Sequence, residues 1–332
     1  MTVARVREAR PVLAASATSI DADDPLAGLT VGEVPEPDVP AGWAVVDVKA
    51  AALNHHDLWT LKGTGIREDQ LPMILGCDAA GLDEDGNPVI VHSVIASDGW
   101  VGDETLDPRR SLLSEVHPGT LAQRVAVPRR NLVPKPDALS FEQAACLPTA
   151  WLTAYRMLFV RSGCAPGSTI LVQGASGGVA TALVQLGSAA GYRMWVTGRT
   201  EAKRARALEL GADAAFESGA RLPERVDAVM ETVGQATWSH SVKALVPGGT
   251  IVVSGATSGP SPSAELTRTF FLQLRVIGST MGTRDELERL VRLCAVTGVR
   301  PTIDSVLPLA EAARGFARMA DGELFGKIVF AV

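Results

Sequence analysis

The hydrophobic period of the chain changes part-way along. Up to about Leu139, apolar residues come in short alternating runs separated by turn residues. Residues 44–50 read as a strand after the turn-rich stretch 35–40. Asp85-Gly86-Asn87-Pro88 makes a turn ahead of Val89-Ile90-Val91, and residues 121–127 form another strand, closed by Pro128. From Ser140 onward, strand and helix patterns alternate. Ser140 followed by Gln143 is a capping box that opens a helix. Strands are predicted at 169–173, 193–197, 213–216, 227–230, 250–254 and 275–278, with helices such as 201–210 and 236–245 between them. That alternation calls for a parallel sheet covered on both faces, and six strands suit a doubly wound α/β sheet. After Gly282 come an amphipathic helix at 284–296, a second at 309–319 and a last strand at 326–330. This strand has no obvious place in the parallel sheet and is expected to return to the first domain. The expected division is a β-rich domain of residues 1–139 and 284–332 and an α/β domain of residues 140–283.

Composition narrows the function classes. The 332 residues suffice for two domains, and 46% hydrophobic with 20% charged residues is an ordinary globular balance. A formal net charge of -6 leaves no electrostatic footprint for nucleic acid, and no Lys/Arg run suggests an anionic membrane. No basic segment followed by an apolar run opens the chain, so a cytoplasmic location is expected. Residues 162–192 lack any charge, but Pro166 and the glycines at 174–178 fit a buried strand and helix better than a membrane span. Cys77, Cys146, Cys164 and Cys294 are scattered without a CxxC pair, which points to reduced, buried thiols.

The strongest chemical signal is Gly174-Ala175-Ser176-Gly177-Gly178-Val179, between a β-branched run and a helix. Small residues there allow a tight turn and close backbone approach to a pyrophosphate, whose charge meets helix N-terminal N–H groups. A nicotinamide dinucleotide is the expected ligand. At the end of the next strand an NAD-preferring site carries an acid for the ribose 2′-OH. This chain reads Thr197-Gly198-Arg199-Thr200-Glu201-Ala202-Lys203 there. Arg199 and Lys203 suit a 2′-phosphate, hence NADP(H); alternatively they are two solvated charges at a helix start. Further strand-end loops suited to the same groove carry Val233, then Gly255, Ala256 and Thr257, then Thr280 and Met281; each also reads as an ordinary loop.

Taken together, residues 52–59 (ALNHHDLW), 75–81 (LGCDAAG), the Gly174 loop, Pro247-Gly248-Gly249 and Gly326-Lys327-Ile328-Val329 resemble the medium-chain dehydrogenase/reductase superfamily, in its quinone-oxidoreductase-like and zinc-type alcohol-dehydrogenase-like branches. The resemblance implies a GroES-like domain joined to a Rossmann domain with a six-stranded parallel sheet, and a homodimer paired through the sixth strand, near 275–278. It implies that His55, Thr153 and Lys327 lie along the cofactor and that Asn54 and His56 are the candidate catalytic groups near the nicotinamide. It also implies where zinc-dependent relatives hold a catalytic metal: positions matching Asn54, Cys77-Asp78 and Thr149. Amide and hydroxyl groups are poor zinc donors, and residues 96–114, which match the structural zinc lobe, contain no Cys, so no metal is expected at either place.

Without a Lewis acid to hold an alkoxide, reduction of a quinone or an α,β-unsaturated carbonyl is favoured over alcohol oxidation, because such a substrate delocalises charge itself. His56 is the expected general acid, with solvent as the alternative proton source. Trp59, Trp100 and Trp151 are candidates to line an apolar cleft for this small-molecule substrate, or else to pack in cores. Two other readings remain: an alcohol dehydrogenase holding a metal through unexpected ligands among His55, His56, Asp57, Cys77 and Asp78, and a non-catalytic NADPH-binding sensor.

Overall fold

The computed structural model describes residues 11–332; the expectation that no secretory segment opens the chain concerns positions outside them. The α/β half carries a six-stranded all-parallel sheet in the order Ala214–Glu217, Arg193–Gly198, Thr169–Val172, Val226–Glu231, Leu245–Val253, Arg275–Gly278. Strand order reverses between Thr169–Val172 and Val226–Glu231, and such a switch point opens a crevice at the carboxyl ends. Thr169–Val172 is buried throughout, as its uninterrupted aliphatic run requires of a central parallel strand. The fifth strand starts earlier than its sequence pattern suggests. Leu245 already pairs with Val226, and a register shift accommodates the Pro247-Gly248-Gly249 stretch.

The GroES-like half is built around the long strand Trp43–Ala52, which pairs antiparallel with Asp78–Leu82, Arg124–Pro128 and Lys327–Ala331. The last strand therefore joins the first sheet and lies parallel to Ile303–Pro308. Its apolar residues Ile328, Val329 and Phe330 are fully buried. A smaller sheet of Val12–Ala17, Leu29–Val34 and Met73–Ile74 closes one side.

Between the halves runs a helical segment from Phe141 to Arg161. It opens on the Ser140 side chain, which accepts from the Gln143 N–H at 3.2 Å, while Gln143 answers the Ser140 N–H at 3.1 Å. It then widens into π-type turns at Leu147–Trp151 and Arg156–Arg161, where Pro148 supplies no N–H to the regular ladder. The amphipathic helix Arg284–Thr297, capped by Thr283 and Glu286, packs on this segment. No helix among the described residues is long and apolar enough to cross a membrane. The uncharged stretch 162–192 holds the buried strand Thr169–Val172 and the helix Gly178–Ala189.

Candidate active site

A cavity of about 570 Å³ lies between the two halves, at the switch point of the parallel sheet. Its wall includes Asn54, His55, His56 and Trp59 from the GroES-like half; Thr149, Ala150 and Thr153 from the first π-type turn and the helix after it; Gly178, Val179, Thr280 and Met281 from the α/β half; and Lys327 from the last strand.

The first group is set by a helix start. Asn54 precedes the helix His55–Leu61, and its N–H donates to Asp57 Oδ2 at 2.8 Å. The other Asp57 oxygen accepts from the Gly76 N–H at 2.9 Å, so this buried carboxylate ties the helix start to the turn before Cys77. His55 and His56 occupy the first turn of the helix and line the cavity. His56 Nε2 lies 2.9 Å from Glu115 Oε1, and Nδ1 lies 3.4 Å from Cys77 Sγ. A carboxylate thus holds the His56 ring. Burial opposes charge on His56, but the negative character of Cys77, Asp57 and Glu115 outweighs it and raises the pKa well above 6.5. His55 goes the other way, lowered by burial and by the Lys327 charge. Burial also raises the Cys77 thiol, against the pull of the neighbouring His56.

Glu115 has no motif around it, and only the fold brings it to His56. Ser114, fully buried, adopts φ 71, an uncommon conformation for a residue with a side chain, and turns the loop toward the cleft. The Gln70 side chain donates to the Glu115 carbonyl at 2.8 Å. A Cβ on Gly65 would meet Glu115 Oε1 at 2.7 Å, so the missing side chain makes room for the carboxylate.

Lys327 reaches the same wall from the far end of the chain. Its ammonium, 2% exposed, donates to Leu53 O at 2.7 Å, Asn54 Oδ1 at 2.6 Å and Asp78 Oδ2 at 3.2 Å, which uses all three of its N–H groups. Asn54 Nδ2 donates to Asp78 Oδ2 at 2.9 Å. Burial pushes the Asp78 carboxyl up, against the pull of Lys327. The Lys327 stem passes beside Gly178, where a Cβ would come within 2.8 Å of Lys327 Cδ.

The glycine loop is anchored by a buried chain of hydrogen bonds. Gly174, at φ 91, turns the backbone out of its strand, and its N–H donates to Thr197 Oγ1 at 3.2 Å. The Thr197 hydroxyl donates to Gln173 Oε1 at 2.7 Å, and Gln173 Nε2 donates to Ser241 Oγ at 2.9 Å. Ser241 donates to the fully buried Glu231 carboxylate at 2.6 Å, which also accepts from the Val233 N–H at 2.8 Å. No side chain caps the helix Gly178–Ala189, so its first N–H groups stay available to an anion. Ala175 is buried beneath this loop, and the Ser176 carbonyl accepts from the Gly326 N–H at 2.8 Å. Gly177 ends the loop as the residue before the helix. Gly255 and Ala256 are half-buried and Thr257 is exposed, beyond the fifth strand. Met281 takes φ 47 at the cavity wall, beside Thr280.

The two cations expected at a 2′-phosphate differ in what holds them. Arg199 is exposed and makes no hydrogen bond or ion pair among the described residues. Lys203 instead donates to the Gly322 carbonyl at 2.9 Å, capping the C-terminal end of the helix Ala312–Asp321 in the other half. That bond engages one of the three N–H groups of the ammonium. Arg204, which the sequence pattern does not single out, donates to the Gly198 carbonyl at 2.8 Å. The tryptophans also divide. Trp59 lines the cavity, Trp151 is fully buried in the core, and Trp100 borders a separate cavity of about 140 Å³.

Residues 40–137 match the family model of the alcohol dehydrogenase GroES-like domain, and residues 178–296 match that of zinc-binding dehydrogenase. The chain is 30% identical to acryloyl-coenzyme A reductase of Metallosphaera sedula over 323 residues, covering 91% of this chain and 96% of that one. The chain belongs to the medium-chain dehydrogenase/reductase superfamily. It is 28% identical to an alcohol dehydrogenase of Geobacillus stearothermophilus, with 92% and 96% of the two chains covered. Among solved structures of the superfamily it resembles an NAD-dependent alcohol dehydrogenase, with a TM-score of 0.89, 31% identity and 96% and 99% coverage.

Membership raises the question of zinc. At the place marked by Asn54, Asp78 and Thr149, the donors are an amide, a hydroxyl and one carboxylate, and the Lys327 ammonium already holds the Asn54 and Asp78 oxygens. Thr149 Oγ1 and Asp78 Oδ1 are buried without well-formed hydrogen bonds, though the hydroxyl stands near enough to favour the carboxylate. Cys77 Sγ turns away, donating to Leu113 O at 3.4 Å. This donor set does not suit zinc. Beside it, ligand-type atoms of His56, Asp57 and Cys77 lie within 4.8 Å of one another, and their chemistry does suit zinc, although both Asp57 oxygens are engaged by backbone N–H groups.

Proposed function

We propose that this superfamily member transfers hydride from NADPH to a quinone or α,β-unsaturated carbonyl without a metal. The observation that carries this reading is the Lys327 ammonium on the Asn54 and Asp78 oxygens, where a dehydrogenase of this superfamily would need a divalent ion. Hydride adds to the β-carbon of a conjugated carbonyl, and the electron pair moves to the carbonyl oxygen as an enolate. A proton then completes the reduction. His56, lining the cavity with a raised pKa, carries that proton at neutral pH. The charge-free stretch of cavity wall at Thr149, Ala150, Gly178 and Val179 suits the nicotinamide face, and the uncapped helix Gly178–Ala189 suits the pyrophosphate. The acryloyl-coenzyme A reductase likeness favours the conjugated carbonyl over the quinone.

NADPH oxidation against a panel of quinones and enones, with and without a chelator, tests this reading. Turnover that survives chelation supports it; turnover lost with chelator and restored by zinc overturns it. The cluster of His56, Asp57 and Cys77 favours a second reading, a metal-dependent alcohol dehydrogenase, which the second outcome would select.

We further propose a homodimer through the edge strand Arg275–Gly278. Val276 is 50% exposed there, and Leu266, Phe270 and Phe271 on the neighbouring helix are 71%, 69% and 77% exposed, an apolar surface that a second copy would cover.

A further inference from the structure

The segment 96–114, which lacks the cysteines of a zinc lobe, forms part of the cavity wall. Thr105, Pro108, Arg110, Ser111 and Leu112 all line it. Although it contains little regular structure, the segment is rigidly tied. The Asp107 side chain, in a residue with no exposed surface, accepts from the Ser97 N–H at 2.7 Å and the Arg109 N–H at 2.8 Å. Asp103 Oδ1 accepts from the Thr105 N–H at 2.9 Å and hydroxyl at 2.6 Å, and its other oxygen pairs with the buried Arg156 of the interdomain helical segment. The short pairing of Val94 with Leu112 and Ile95 with Ser111 then fixes the end of the segment. Arg110 sits immediately before that pairing, with Nη1 donating to the Asp107 carbonyl at 3.3 Å.

The charges in the cavity wall leave one cation over. Lys327 faces Asp78 at 3.2 Å and His56 faces Glu115 at 2.9 Å. Arg110 forms no ion pair among the described residues. A chain with a formal net charge of -6 thus holds an exposed, unpaired guanidinium, with free N–H groups, in the wall of this cavity. Around it, Trp59, Val94, Pro108 and Leu112 supply apolar surface for the reacting part of a substrate.

We infer that Arg110 is a specificity residue that selects substrates carrying an anionic group, a carboxylate or a phosphate, attached to the conjugated carbonyl. The inference rests on the reductase reading and names the class of substrate for that site. A planar guanidinium held by its own backbone contact is pre-organised for the paired oxygens of either anion.

Two matched pairs of substrates test it: an enone carboxylate against its amide, and crotonyl-coenzyme A against the neutral N-acetylcysteamine thioester. Arg110→Gln is expected to lower the preference for the anionic member, read as the ratio of kcat/KM values within a pair, about 10- to 100-fold, with partial recovery in Arg110→Lys. Loss confined to the first pair identifies a carboxylate, and loss confined to the second a phosphate. A ratio within about twofold of the parent in both pairs, or equal loss on both members, overturns the proposal. If the parent protein reduces no substrate, the reductase reading fails by itself. Calorimetric binding of butyryl-coenzyme A and of the saturated carboxylate to the NADPH-loaded protein still reads Arg110. Anion binding weakened in Arg110→Gln upholds the inference, and no binding, or binding that ignores the substitution, overturns it.

Discussion

Lys327 Nζ lies 2.6 Å from Asn54 Oδ1, across 273 residues of chain, and the same ammonium lies 3.2 Å from the buried Asp78 carboxylate. Replacing Lys327 with Met leaves that carboxylate buried without its cation. A loss of about 3–5 kcal/mol is expected, measured by denaturant unfolding. The double variant Lys327→Met/Asp78→Asn removes both charges and is expected to recover much of that loss; no recovery would show that the lysine matters through its hydrogen bonds to Leu53 and Asn54 rather than through the Asp78 charge.

Arg199 is the free cation beside the expected ribose. Arg199→Ala is expected to raise the Kd for NADPH about 10- to 100-fold while changing NADH little, as measured by fluorescence titration. Equal weakening of both coenzymes would remove the case for a 2′-phosphate contact.

Gly174 provides a contrast. A Cβ there meets only Val233 Cγ2 at 3.9 Å, so space is not limiting, but φ is 91. Gly174→Ala is expected to cost about 1–2 kcal/mol of stability and to weaken NADPH and NADH alike, since the strain falls in the loop that both share. Thermal melts with each coenzyme would check this.

The Glu115–His56 pair makes activity pH-dependent. With the His56 pKa raised above 6.5, the proton-bearing form prevails below the raised value and is lost as pH rises through it, so kcat/KM is expected to fall on the alkaline side. The same shift contributes stability that is complete below pH 6.5 and disappears as pH rises through the folded-state value. Glu115→Gln removes one cause of the shift and is expected to move the alkaline limb to lower pH, with Glu115→Asp intermediate. An unmoved limb would separate Glu115 from the proton step.

The exposed edge at Val276 predicts an assembly. Sedimentation of the parent protein is expected to give a dimer, and Val276→Lys with Phe271→Glu a monomer. A parent monomer at micromolar concentration would refute the pairing.

The parallel sheet was legible because its central strands carry short buried apolar runs, Ile170-Leu171-Val172 and Ala228-Val229-Met230, and continuous burial leaves that mark on a sequence. The glycine loop was legible because its geometry excludes larger side chains, and Ser140 with Gln143 because capping is local. The partners of His56, Lys203 and Lys327 were not. Glu115, Gly322 and Asp78 meet them over separations of 59, 119 and 249 residues, and no local pattern encodes such meetings. Trp151 stayed open between cleft and core for a related reason. An indole on a helix carries no sign of which side faces the cleft, and the π-type turn directs it inward while Thr149 and Ala150 line the cavity.

The final strand has a consequence for synthesis. A nascent chain that has emerged through the whole parallel sheet still lacks Lys327, so Asp78 waits beside Asn54 without that counter-ion until residue 327 has been made. The interior around Asp78 can be completed only after the strand Lys327–Ala331 has left the ribosome. A stalled or clipped product ending before residue 327 would leave an acid stranded in an apolar interior, a defect that protein quality control can recognise.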